Sequence, residues 1–177
     1  QKGGGWPSDP GGPPNTTSTA WALLVLKSGH LAPLKVPPSA PAAAARFLDS
    51  VQSDGGAFYG DTKPGKEPRA TAAGLLGRML LGRKPDDPAI KRGIAYLGKV
   101  GLSKTDPVYN FFATQVMRHA EGPAWMNWNK GLRKPLITSQ AKQNHAKGSW
   151  WRPDVIGAKP GGRLYQTALN MMALAVY

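Results

Sequence analysis

Apolar and polar positions along the chain fall into two regimes. Around 19–28 the stretch "TAWALLVL" is apolar nearly all the way round, and 70–81 and 164–177 ("TALNMMALAVY") repeat that character. A helix apolar on every side is one with neighbours on every side. Between these segments the pattern is one-sided. In "DPAIKRGIAYLGKVG", Ile90, Ile94 and Leu97 fall on one helical face, and Lys91, Arg92 and Lys99 on the other. Asp87 is placed to cap this helix with Pro88 in its first turn, and Gly101 to stop it. Asp106-Pro107 opens the next helix in the same way. "GPAWMNWNKGLRKPLITSQ" reads as a long helix that Pro135 should kink or break.

Glycine and proline, 22 and 17 residues, gather in runs ahead of the apolar helices. In "GGGWPSDPGGPPNTTSTAWALLVL" Trp6 precedes Thr19 by 13 residues, and in "DGGAFYGDTKPGKEPRATAAGLL" Phe58 precedes Thr71 by 13. Trp150 precedes Thr167 by 17, and "TDPVYNFFATQVM" holds a weaker copy around Thr114 without the long loop. The four threonines are separated by 52, 43 and 53 residues, which suits one αα-hairpin per repeat. Inner apolar helices alternating with outer amphipathic ones predict an all-α fold. Its architecture is a two-layer α/α barrel or open arc of hairpins, forming one domain over 1–177. Trp6, Phe58 and Trp150 are expected to pack in the core beneath the loops. The threonines are expected in the first turn of inner helices, all near one rim.

The absence of cysteine excludes disulfides, thiolate metal sites, a cysteine nucleophile and an internal thioester. His30, His119 and His145 show no metal-ligand spacing, so neither a metal nor a cofactor is expected. No nucleophile-elbow motif is present, and Asp86-Asp87 reads as helix capping. No apolar run reaches the ~18 residues of a membrane span. The compartment stays open. The net charge of +13 points to an anionic partner: nucleic acid, an acidic polymer or lipid headgroups. The basic residues are scattered and not interleaved with aromatics, which disfavours nucleic acid.

In these residues the chain resembles the terpenoid-cyclase and protein-prenyltransferase α/α-toroid superfamily. "SDGGAF" and "GSWW", each followed by a loop and a Thr-Ala helix start, look like its repeat. Gln52 and Gln140 sit where the family's glutamine is expected, and "GGRLYQTALNMMALAVY" looks like its last inner helix. More narrowly, the chain is similar to squalene-cyclase-like repeat domains of bacterial proteins. The resemblance covers nearly the whole chain and implies the toroid fold. It says less about activity, since one fold hosts many functions. Class II cyclases of the family carry an Asp-x-Asp-Asp acid just before a Thr-Ala start. Those slots here hold Asn15, Thr17 and Ser18, then Glu67, Arg69 and Ala70, then Asn110, Phe112 and Ala113, then Arg163, Tyr165 and Gln166. No unit keeps the motif, and the prenyltransferase zinc site lacks its cysteine. The resemblance therefore implies a non-catalytic ligand- or partner-binding domain with no catalytic residue. The alternatives are the substrate-binding part of an isoprenoid cyclase or transferase, or a polysaccharide lyase built on Tyr109, Asn110, His119 and Arg163.

Arg69 and Arg163 occupy emptied acidic slots, just ahead of two inner-helix N-termini that favour anions. With Tyr109, Asn110, Tyr165 and Gln166 they form the expected ligand-binding set at that rim. The competing expectation is that both arginines are solvated or pair with Glu67 and Asp61. The chain opens at Gln1 almost on a hairpin turn and closes at Tyr177 in an apolar helix. The expectation is thus an incomplete ring, cut from a longer protein, whose open edge can seat a protein partner.

Overall fold

The computed structural model describes residues 3–32 and 34–176. Gln1 and Tyr177, on which the expectation of an incomplete ring rests, lie outside the described residues. The chain is predominantly helical. Its helices are α1 (Thr16–Leu31), α2 (Ser39–Val51), α3 (Pro68–Leu80), α4 (Pro88–Val100), α5 (Pro107–Ala120), α6 (Gly122–Ser139) and α7 (Ala158–Leu174). A short antiparallel pair, β1 (Gln52–Ser53) and β2 (Phe58–Tyr59), matches Gln52 to Tyr59 and Ser53 to Phe58. The chain divides into two compact units, Gln1–Leu97 and Gly98–Tyr177.

In the first unit, α1 packs along α3, with α2 beside α1. Asn15 caps α1, its Oδ1 accepting the Ser18 N–H at 2.8 Å. The Asp61 carboxylate adds bonds from the Thr17 N–H at 3.2 Å and the Thr17 hydroxyl at 3.1 Å. Helix α3 is buried without a gap from Ala70 to Arg78, as an all-round apolar segment predicts. Helices α1 and α7 depart from that prediction. Thr16, Thr19, Ala20 and Leu23 of α1 face inward, while Val25 is 70% exposed; on α7, Leu164 is 81% exposed. Neighbours, not composition, set how many faces a helix buries, and α2 and α3 cover one stripe of α1.

The glycine-rich opening serves close packing. Gly4 is buried at φ 88°, and a Cβ there would stand 2.2 Å from the Ala43 carbonyl oxygen of α2. Only glycine lets the loop lie on that backbone. Trp6 then donates its N–H to Thr19 Oγ1 at 3.0 Å. The same bond recurs from Trp150 to Thr167 at 3.1 Å. In the second repeat the donor is Tyr59, at 3.1 Å from Thr71 Oγ1, and not Phe58. Neighbours on a strand point to opposite faces. Tyr59 is fully buried, while Phe58 turns to the edge of Tyr96 at 5.2 Å and to the Lys66 ammonium at 4.2 Å.

Tyr59 reaches a buried guanidinium. Arg78 Nε donates to its hydroxyl at 3.1 Å, and Arg78 also binds the Ala45 carbonyl, the Asp49 carboxylate and Gln52 Oε1. Burial holds the Tyr59 phenol above its ordinary pKa, against the opposing pull of Arg78. Gln52 thus fastens the end of α2 to α3. Asp87 caps α4 as expected, accepting from the Ala89 N–H at 2.8 Å and the Ile90 N–H at 3.3 Å.

In the second unit, Asp106 caps α5 by accepting the Tyr109 N–H at 2.9 Å. Thr114 is the eighth residue of α5, not in its first turn as expected. With no long loop to hold, its hydroxyl donates to the Asn110 carbonyl at 2.6 Å and accepts the Trp128 indole N–H of α6 at 2.9 Å. Helix α6 continues through Pro135 without a break. Pro135 and Gly131 are both exposed, so water can satisfy the Gly131 carbonyl that proline leaves unbonded. Helix α7 kinks at Gly162 (φ 60°, ψ −159°), and Thr167 lies five residues beyond.

Candidate functional site

Three of the six expected ligand-binding residues hold the chain's own loops. Asn110 brackets the Ser103 peptide: its Oδ1 accepts the Ser103 N–H at 2.9 Å, and its Nδ2 donates to the Ser103 carbonyl at 2.8 Å. Gln166 does the same for Arg152, with both bonds at 2.8 Å, and is 2% exposed. Tyr109 is buried. Its hydroxyl donates to the Gly101 carbonyl at 2.8 Å, and its ring meets Trp128 edge-on at 6.3 Å.

The other three are more open. Tyr165 is half-buried, with its ring against Gly157 and Gly161. Arg163 is exposed and donates to Ser149 Oγ at 3.1 Å. Arg69 is the second residue of α3 and half-buried. It belongs to the first unit, and the other five belong to the second. Asp61, a suggested arginine partner, is engaged at the start of α1. The N-termini of α1 and α5 are capped by Asn15, Asp61 and Asp106, whereas α3 and α7, the helices that carry Arg69 and Arg163, begin at Glu67 and Gly157 with no side-chain cap.

A different surface of the second unit has the makings of a binding site. One side of α6 carries an open surface patch lined by residues of that helix alone. Its lining forms two rows of residues four apart. One row is Trp125, Asn129, Arg133 and Ile137; the other is Met126, Lys130, Lys134 and Thr138. The opposite face buries Trp128 and Leu132, which explains why α6 presents this side outward. Met126 is 68% and Ile137 49% exposed. Trp125 has Arg118 above its ring at 5.8 Å, and Arg118 also meets Glu121 at 3.6 Å. Among the described residues, Lys130, Arg133 and Lys134 make no ion pair.

The local charge balance reinforces this. The second unit has 11 Lys and Arg against 3 acidic residues, whereas the first has 12 against 7. From Gly122 to Pro153 there are six Lys and Arg and no Asp or Glu. Asp154, the next carboxylate, is tied to Arg152, whose hydrogen bond holds its pKa below the usual range. As a sequence this segment reads as a long helix that Pro135 should kink or break, a reading that does not single out its outward face. The readable signal was the acid-free basic run.

Among the described residues, no helix is long and apolar enough to cross a membrane, and no three His, Asp or Glu side chains gather as metal ligands. No protein-family model, no curated protein and no solved structure matches this chain.

Proposed function

We propose that this chain is a non-catalytic binding module, built on helical hairpins of the α/α-toroid kind, that holds an anionic macromolecular partner. The observation that carries the reading is the outward face of α6. Lys130, Arg133 and Lys134 crowd one open surface patch with no carboxylate paired to them among the described residues. Such a cluster repels itself until an anion covers it. The emptied acid slots and the self-engaged Asn110, Tyr109 and Gln166 favour holding over turnover.

Binding of the 177-residue chain to polyglutamate and to heparin, followed at two salt concentrations, tests this. The triple substitution Lys130→Glu, Arg133→Glu, Lys134→Glu is expected to weaken binding at least tenfold. Lys91→Glu, at an exposed position of α4, is expected to have little effect. Equal losses from both variants point to diffuse charge alone and defeat the reading. So does turnover of a polyprenyl diphosphate or an acidic glycan by the purified chain.

A further inference from the structure

A shared hydrogen bond puts three helices in one rotational register. Thr19 of α1, Thr71 of α3 and Thr167 of α7 each accept the backbone N–H of an aromatic residue that precedes a loop. Counting from that threonine therefore identifies equivalent faces. The residues one and four places on form a first face: Ala20 and Leu23, Ala72 and Leu75, Ala168 and Met171. The residues two and six places on form a second, about 150° further round the helix. These are Trp21 and Val25, Ala73 and Gly77, Leu169 and Ala173.

Which face is covered differs from helix to helix. Helix α3 buries both. Helix α1 buries its first face, and a Cβ added at Gly77 of α3 would stand 3.2 Å from Leu23 Cδ1. On its second face Val25 is 70% exposed. Helix α7, which packs along α5, reverses this pattern. Leu169 and Ala173 on its second face are buried, while Ala168 and Met171 on its first are exposed, Met171 to 56%. Leu164, one turn before Ala168, extends the exposed stripe.

The open face of α7 is thus the face that α1 lays on α3. The open face of α1 is the one that α3 turns to α1. Together they are the two halves of a contact that the fold already makes. From Ser18 to Leu26 and from Leu164 to Val176 there is no charged residue, so neither half brings a charge into the contact. Met171 is unbranched and adapts to Val25, where the internal contact sets Leu23 over a glycine.

We infer that α7 of one copy packs on α1 of a second copy, with Ala168 and Met171 against Val25, repeating between chains the contact of α1 with α3. Each added copy leaves one such face open, so a head-to-tail contact propagates into oligomers or closes into rings. The α6 cations take no part, so this goes beyond the anionic-partner reading and fails independently of it.

Sedimentation velocity of the 177-residue chain, over a hundredfold range of concentration and at two salt concentrations, tests this. The mass is expected to rise above that of one chain with concentration. The rise is expected to be greater at high salt, which screens the repulsion between copies of net charge +13. Met171→Glu and Val25→Glu are each expected to remain single chains, and Met171→Leu to associate as the parent does. An equimolar mixture of the two glutamate variants is expected to give a two-chain complex and nothing larger. One variant keeps an intact α7 and the other an intact α1. Both sites are exposed, and unchanged thermal unfolding of the variants verifies that they fold. A parent chain that stays single at every concentration overturns the inference. Loss of association in only one glutamate variant marks a symmetric contact of one helix with its own copy and also overturns it. So does loss in both without recovery in the mixture. Association that weakens as salt rises marks an ionic contact and overturns it as well.

Discussion

Thr71 Oγ1 accepts the backbone N–H of Tyr59 at 3.1 Å and donates its own hydrogen to the Tyr59 carbonyl at 3.2 Å. One hydroxyl thus closes both polar groups of a fully buried residue. Valine has the same shape without the hydroxyl. Thr71→Val leaves a buried N–H unsatisfied and is expected to cost about 1–3 kcal/mol. Thr71→Ser is expected to recover most of that. Thr19→Val is expected to cost less, because the Trp6 N–H that it abandons is only part-buried. Urea unfolding of the three variants measures the order, and a Thr71→Val protein as stable as the parent contradicts it.

The two glycines Gly74 and Gly98 separate packing from propensity. Both lie in helices, where alanine is favoured by roughly 1 kcal/mol. A Cβ at Gly74 would stand 2.3 Å from the Tyr59 ring, whereas nothing lies within 4 Å of one at Gly98. Gly74→Ala is therefore expected to destabilise, because overpacking of about 1–3 kcal/mol outweighs the helical gain. Gly98→Ala is expected to stabilise. Thermal unfolding that moves the same way in both variants removes the argument.

The threonine positions show how far the sequence could be read. Thr19, Thr71 and Thr167 each take the amide of an aromatic residue that precedes a loop, so a one-dimensional spacing carried a three-dimensional bond. Thr114 shared the neighbouring residues but not the loop, and its partner, Trp128, lies in the following helix. The choice of Phe58 over Tyr59 failed because a two-residue strand inverts sides at every step. Helix identity and the caps at Asp87 and Asp106 were legible because they are local. Burial of α1 was not, since it depends on which neighbours the chain supplies. The roles of Asn110 and Gln166 were hidden for a related reason. A carboxamide that brackets a peptide and one that binds a ligand are the same letter in the sequence.

Asp87 gives the acid side of the stability profile a local probe. Burial pushes its carboxyl pKa up, but the Ala89 and Ile90 N–H groups and Arg83 outweigh that and hold it below the ordinary value. A pKa that is lower in the folded state favours folding at pH values above the unfolded-state pKa, near 4. That contribution is lost as pH falls through the folded-state value. Asp87→Asn retains a capping side chain without the charge. The parent is expected to lose more stability than Asp87→Asn between pH 5 and pH 2.5, followed by thermal unfolding. Parallel profiles contradict the assignment.

Gln166 decides between the two roles that the rim residues were given. If it served an anion site, replacing it would weaken polyanion binding and leave folding untouched. Its Oε1 and Nε2 instead hold the Arg152 N–H and carbonyl, both at 2.8 Å, at a position 2% exposed. Methionine fills the same volume and makes neither bond. Gln166→Met is expected to lower stability by about 1–3 kcal/mol as the Arg152 peptide loses its partners. Gln166→Glu keeps the acceptor, loses the donor and faces the Arg152 carbonyl with negative charge, so it is expected to be at least as damaging. At temperatures where both variants stay folded, their affinity for polyglutamate is expected to match the parent's, because the α6 cations are unchanged. Amide hydrogen exchange at Arg152 provides the direct readout, with faster exchange expected in both variants. Unchanged exchange together with lost polyanion affinity would return Gln166 to the ligand site.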